Sequence, residues 1–219
     1  SQDIHGSPAP AGLIAGGSGR LETQAACPFM GFAVYRLGLP QPADARDLLD
    51  TRERGTLLHW ILEKVYSLAP NSDQAKSLAE DSLKSICAEA LKRHGHLPEA
   101  FAESEKSRLI DLVRDWLALE ADRDAFDVVE TEQRHTVSLG DWQLQLRIDR
   151  LDKVGNDLVV IDYKSGKASS AAALSKQMTA PQLPLYSLIR DDIAGVYYAQ
   201  LKHDDQKIIG VGDKNPQLV

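Results

Sequence analysis

An α/β domain with a mixed central sheet flanked by helices is the fold class the sequence predicts, on three observations. Helical periodicity of apolar residues dominates up to about residue 122; period-two and continuous apolar runs replace it from residue 128 to 163; and one further helical stretch, near Pro181, separates those strands from two more at 195–201 and 208–211. A chain of 219 residues, 43% of them hydrophobic, supports one sizeable core and is short enough for a single domain. We place that domain at 18–219, after a flexible linker or chain end at 1–17.

The opening stretch, 1–19, is rich in Gly, Ala, Ser and Pro and has no periodicity, which reads as a linker, and the lack of an initial Met suggests a piece of a longer polypeptide. Residues 21–39 then carry Ala25, Ala26, Phe29, Phe32, Ala33 and Leu37 around a Cys27-Pro28 step, the pattern of a helix, a break and a second helix. Cys27 reads by itself as a small buried hydrophobe. After a polar connection at 41–54, Gly55-Thr56 opens an amphipathic helix with Leu58, Ile61, Leu62, Val65 and Tyr66 on one side and His59 at the edge of the stripe. A histidine so placed is ordinarily a structural or surface residue. Two more core-packing helices follow, at 73–94 and 98–122, and carry no evident chemistry. His94-Gly95-His96 lacks ligand spacing and reads as a helix end.

Strand character returns at 128–139, which is expected to pair with 142–151 across Gly140-Asp141 and which places Glu130 and Glu132 on one face. The stretch 142–167, WQLQLRIDRLDKVGNDLVVIDYKSGK, reads as two strands joined by a tight turn. Trp142, Leu144, Leu146 and Ile148 alternate with polar residues, and 158–163 is almost wholly apolar yet contains Asp162. Gly155-Asn156 suits a two-residue turn with Gly first, so Val154 faces Asp157. Counting outwards, Asp149 faces Asp162 and Arg147 faces Lys164, with opposed β-carbons roughly 5 Å apart. Asp162 and Lys164, two apart, share that face. Opposed carboxylates are destabilising, so the patch calls for a cation or a raised pKa, and a hard divalent metal answers that need.

At these residues the chain resembles the PD-(D/E)XK nucleases, in the RecB-type branch: Asp149 within IDRLD, then Asp162-Tyr163-Lys164 within DYKSGK, where that branch often reads DYKTGK. Further matches lie along the chain from Ser18 onwards. RGTLLHWILE is similar to the branch's RG-x-x-x-H segment, SGRLETQAACPFMGFAVYRLGL to its opening motif, and QLPLY, starting near Pro181 at a helix's first turn, to its Q-x-x-x-Y motif. The resemblance implies a restriction-endonuclease-like fold and metal-dependent hydrolysis of DNA phosphodiesters. It implies that His59, Asp149, Asp162 and the backbone carbonyl of Tyr163 hold Mg²⁺ or Mn²⁺, that Lys164 serves catalysis, and that Glu132 adds a carboxylate, a solvated strand charge being the competing reading. Gln182 and Tyr186 would position DNA, with Arg150 and Lys167 as further DNA contacts. Iron-sulfur members use the Cys of CPF as a cluster ligand, but three further cysteines are absent up to Val219, which argues against a cluster here. Arg147 stands where the branch often has a small Gly, and could narrow the site. The alternative reading is a nucleic-acid-binding module that keeps the fold without catalysis.

The formal charge of −7 runs against a basic nucleic-acid footprint, but from Arg147 to Lys176 six Lys or Arg face four Asp, so the positive charge is concentrated beside the motif. No apolar run approaches the roughly 20 residues of a membrane span, and no cationic start precedes an apolar segment. Two distant cysteines suggest neither a disulfide framework nor a zinc site, as expected in a reducing cytoplasm. The branch's members commonly sit in helicase-like repair proteins, so a helicase-like remainder or partner is expected besides DNA.

Overall fold

The computed structural model describes residues 11–39, 48–95, 97–168 and 181–212. Two mixed sheets flanked by helices form the architecture: a three-stranded sheet in the order β1-β4-β3 and a five-stranded sheet in the order β2-β5-β6-β7-β8. The strands are β1 (Gly12–Ile14), β2 (Phe126–Thr131), β3 (Arg134–Leu139), β4 (Trp142–Arg147), β5 (Arg150–Val154), β6 (Asp157–Lys164), β7 (Ile193–Gln200) and β8 (Lys207–Gly212). The stretch read as a linker thus contributes a strand, since β1 runs parallel to β4.

The expected break at Cys27-Pro28 separates α1 (Gly17–Ala26) from α2 (Pro28–Tyr35), Pro28 starting the second helix where its missing N–H costs nothing. Cys27 itself is exposed and not a buried hydrophobe. Helix α3 (Thr51–Leu68) starts four residues before the expected Gly55 because Asp50 and Glu53 close a reciprocal capping box, each side chain accepting from the other's backbone N–H. Its stripe, Leu58, Ile61, Leu62, Val65 and Tyr66, is buried as the periodicity predicts. The next helical stretch divides into α4 (Ser72–Lys76) and α5 (Glu80–His94); α6 (Glu99–Ala121) and α7 (Gln182–Tyr186) follow among the described residues.

Strand β6 sorts its residues by parity. Val159, Ile161 and Tyr163 join the core beneath α3, α5 and α6, whereas Val160 belongs to the opposite core with Leu144, Leu146, Ile148 and Tyr186. The β5–β6 hairpin has the expected register, Val154 opposite Asp157 and Arg150 opposite Ile161, around Gly155 at φ 63°.

The strand expected to run unbroken from 142 to 151 is instead divided. At Ile148 and Asp149 it bends and passes from the three-stranded sheet into the five-stranded one, and its partner strand breaks opposite, at Glu132 and Gln133. Two backbone hydrogen bonds bridge the breaks, Glu132 N–H to Asp149 O and Ile148 N–H to Gln133 O, both 3.0 Å. Arg147 therefore pairs with Arg134 of β3, not with Lys164, and Asp149 stands opposite Asp162 by count only, outside the ladder.

Candidate active site

The bend places Asp149 between the end of β4 and the start of β5, where it meets His59 of helix α3. Its carboxylate has two partners: Oδ1 lies 3.2 Å from His59 Nδ1, and Oδ2 accepts the Tyr163 backbone N–H at 2.7 Å. The other imidazole nitrogen, Nε2, is 3.0 Å from the Tyr163 carbonyl oxygen. Glu132 enters from the opposite break, at φ 53°, a left-handed conformation rare outside Gly and Asn and a local strain that turns its side chain out of strand alternation. Its Oε1 lies 3.8 Å from His59 Nδ1, while Oε2 pairs with Arg147 Nε at 3.0 Å. Glu130, expected on the same face, turns instead to His135 at 2.7 Å.

One ligand atom each from His59, Glu132 and Asp149 fall within 4.8 Å of one another, enough to hold a metal ion. The donor set fits a divalent cation. An imidazole and two carboxylates converge, an oxygen-rich group of the kind divalent cations take, while the Tyr163 carbonyl oxygen lies on the other imidazole nitrogen. Without metal, burial pulls the His59 pKa down, but the Asp149 and Glu132 carboxylates and the charge of Asp162 overcome it and push it up to about 10. A proton then supplies the positive charge the acids require.

Asp162 lies outside that group. Its Oδ2 is 2.7 Å from Lys164 Nζ, and its Oδ1 accepts from the Tyr186 hydroxyl at 2.9 Å. Burial, then the nearby Asp149 charge, push its pKa up to about 6 against the opposing pull of Lys164 and Tyr186. Lys164 Nζ also donates to Gln182 Oε1 at 2.6 Å and sits 5.2 Å from the centre of the Tyr198 ring. Helix α7 thus brings Gln182 and Tyr186, at i and i+4, to the Lys164–Asp162 pair, Tyr186 itself being buried.

Two expected DNA contacts part company. Lys167 is exposed after β6, but Arg150 is wholly buried and cannot meet a phosphate. Its guanidinium donates to Glu120 at 3.1 Å, Asp152 at 2.7 Å and the Tyr163 hydroxyl at 3.3 Å, and stacks 4.1 Å from the Tyr66 ring centre. Arg123 reaches the same Asp152 at 3.1 Å and also pairs with Glu120. Arg150 is a structural cation that ties α6 to β5 and β6 beneath the site.

Glu22 of α1 was missed. Burial raises its pKa and Lys164 opposes the rise, so a further carboxylate stands in the field of Lys164. It lies within SGRLETQAACPF, but a lone Glu on a short helix carries no signal by spacing. No helix of the described residues is long and apolar enough to cross a membrane.

The family model for the PD-(D/E)XK nuclease superfamily matches residues 18–214. No curated protein matches the sequence. Among solved structures, that of SSO0001 aligns over 83% of this chain and 74% of its own, at 12% identity and a TM-score of 0.30, a likeness too slight to carry an argument.

Proposed function

Because the chain belongs to the PD-(D/E)XK nuclease superfamily, we propose that it is a Mg²⁺- or Mn²⁺-dependent deoxyribonuclease of the RecB-type branch. The observation that carries this reading is the convergence of His59, Glu132 and Asp149 within 4.8 Å, next to a lysine held by an acid and an amide. His59, Glu132 and Asp149 would hold the ion, with the Tyr163 carbonyl oxygen and a reoriented Asp162 as further donors. A divalent ion there would polarise the scissile phosphate and lower the pKa of a water nucleophile.

The chain's own residues supply position and charge. Lys164, fixed between Asp162 and Gln182, presents an ammonium to the negative charge that grows on the phosphate oxygens. Tyr186 donates to Asp162 and, at 3.2 Å, to the Arg147 carbonyl oxygen, so it holds the acid's rotamer and clamps the end of β4. Arg147, mostly exposed, both orients Glu132 and offers a cation at the mouth of the cleft. Lys167, exposed after β6, would meet DNA beyond the site.

We extend the proposal to exonuclease-like action in DNA repair or recombination in the cytoplasm, with a helicase-like partner or remainder of the same polypeptide and with 18–219 as one nuclease domain. Linear and circular DNA, single- and double-stranded, incubated with Mn²⁺ or with EDTA, test it. Metal-dependent cleavage of linear but not circular DNA is expected; no cleavage of any substrate in Mn²⁺ would refute the nuclease reading.

A further inference from the structure

Two cavities adjoin along the outer side of α3. One, of about 340 Å³, has His59, Glu132 and Arg147 at one end. The other, of about 530 Å³, ends at Arg93 and His94 of α5. Arg52, Thr56 and Trp60 line both, so the two form one groove leading away from the metal-ligand group.

One indole, three guanidiniums (Arg52, Arg93, Arg147) and four carboxylates line that groove. Trp60 is half-buried, and its ring is flanked by Arg93, 5.1 Å from the ring centre, and Lys64, 5.5 Å from it. Arg52 and Arg93 are exposed, and among the described residues neither has a carboxylate within ion-pair distance. The groove also has acids, but each is engaged: Asp50 and Glu53 in the α3 capping box, Glu63 beside Lys64 at 3.8 Å, and Glu132 with Arg147. Arg52 and Arg93 are thus, among the described residues, the guanidiniums of the lining left without an ion pair and open to a ligand.

The geometry points to a track for single-stranded nucleic acid along α3, in which Arg52 and Arg93 contact phosphates and Trp60 stacks a base on the strand leaving the metal-ligand group. This inference rests on the nuclease reading of that group. From His59 to Arg52 the helix rises about 10 Å, the length of roughly three stacked nucleotides at ~3.4 Å per strand. A flat indole between cations binds the π-face of any base, and only an unpaired strand exposes those faces. On binding, one of the two cations would leave the ring for a phosphate as a base takes its place.

The test is binding of a labelled oligothymidylate of about twelve nucleotides in EDTA, where no cleavage occurs, against duplex of the same length. The double variant Arg52→Ala/Arg93→Ala is compared with a charge-matched control on another face, Lys84→Ala/Arg114→Ala, all folding as wild type by thermal melt. Wild type should prefer the single strand. The groove variant should lose about tenfold or more in affinity, and its log K against log salt slope should become shallower by about 1.4, two phosphates at ~0.7 each. Trp60→Ala should weaken binding and Trp60→Phe should keep most of it. A groove variant with wild-type affinity and slope, an equal loss in the control, or a wild type that ignores single strands would overturn the track. Cleavage in Mn²⁺ separates the two readings: binding without cleavage sinks the nuclease and leaves the track, whereas cleavage with unchanged KM in the groove variant sinks the track and leaves the nuclease.

Discussion

His59 Nδ1 stands 3.2 Å from Asp149 Oδ1, so one helix is tied to the bend between two sheets through an imidazole and a carboxylate. In the metal-free protein the surrounding acids hold the His59 pKa up at about 10, well above its ordinary 6.5. The folded state therefore binds this proton more tightly than the unfolded chain does. The stabilisation is fully present below pH 6.5 and is lost as pH rises through about 10. Thermal melts of the EDTA-treated protein between those limits should show declining stability, and His59→Ala should flatten the decline. A divalent ion requires the neutral imidazole, so Mn²⁺ binding near pH 8 should release about one proton and tighten with pH. Calorimetry in buffers of different ionisation enthalpy measures that proton, and its absence would count against His59 as a ligand.

Asp162→Asn should leave the metal-free protein no less stable at neutral pH. The carboxyl's folded pKa, about 6, exceeds its ordinary 3.8, so its share of stability is present below 3.8 and is gone once pH has passed 6. Asn keeps an acceptor for Tyr186 and removes a buried charge beside Asp149. Metal affinity and cleavage should fall together. A marked drop in metal-free stability would identify Asp162 as a salt-bridge acid for Lys164 instead.

Lys164→Ala should separate binding from chemistry. The ammonium touches Asp162, Gln182 and the Tyr198 ring, none of them in the His59 group. Mn²⁺ affinity should stay within about threefold while cleavage falls by about 100-fold or more, the scale for losing one donor aimed at developing charge. Equal losses in both would show that Lys164 shapes the metal group itself.

Arg150→Met should act on folding and not on DNA. It removes one of the two guanidiniums that neutralise Glu120 and Asp152 in the core and leaves both acids to Arg123, at a cost of up to about 3–5 kcal/mol. Urea denaturation reads that cost. Arg150→Lys should recover only part of it, because a point charge cannot reach both acids and stack on Tyr66 as the planar guanidinium does. Wild-type stability in the Met variant, with weakened DNA binding, would restore Arg150 to the interface.

Tyr186→Phe removes a hydroxyl that donates to a buried carboxylate, a bond worth roughly 1.5–3 kcal/mol. It should cost stability on that scale and lower kcat more than it raises KM, since Asp162 loses its fixed rotamer while the DNA-facing surface is unchanged. Unaltered kcat would confine Tyr186 to packing.

Sequence by itself determined what depends on neighbours in the chain. The turn at Gly155-Asn156 needs only a residue tolerant of positive φ, so it fixed the β5–β6 register without knowledge of the fold. The 3.6-residue period put His59 at the rim of the α3 stripe, and i, i+4 spacing put Gln182 and Tyr186 on one side of α7. Tertiary structure decided what depends on partners distant in sequence. Apolar alternation in β4 continues without a missed beat into buried Ile148, so nothing local marks the bend at Asp149 or the matching break at Glu132. Both arise where one long pairing must serve two sheets, and that pairing brings Glu132 to His59. Arg150 looked like a surface cation because a charge in a strand is ordinarily solvated; its burial follows from Glu120, 30 residues away on another element, converging with Asp152 to neutralise it. Short-range sterics and periodicity are written along the chain, whereas the meeting of charges across elements is set by packing alone.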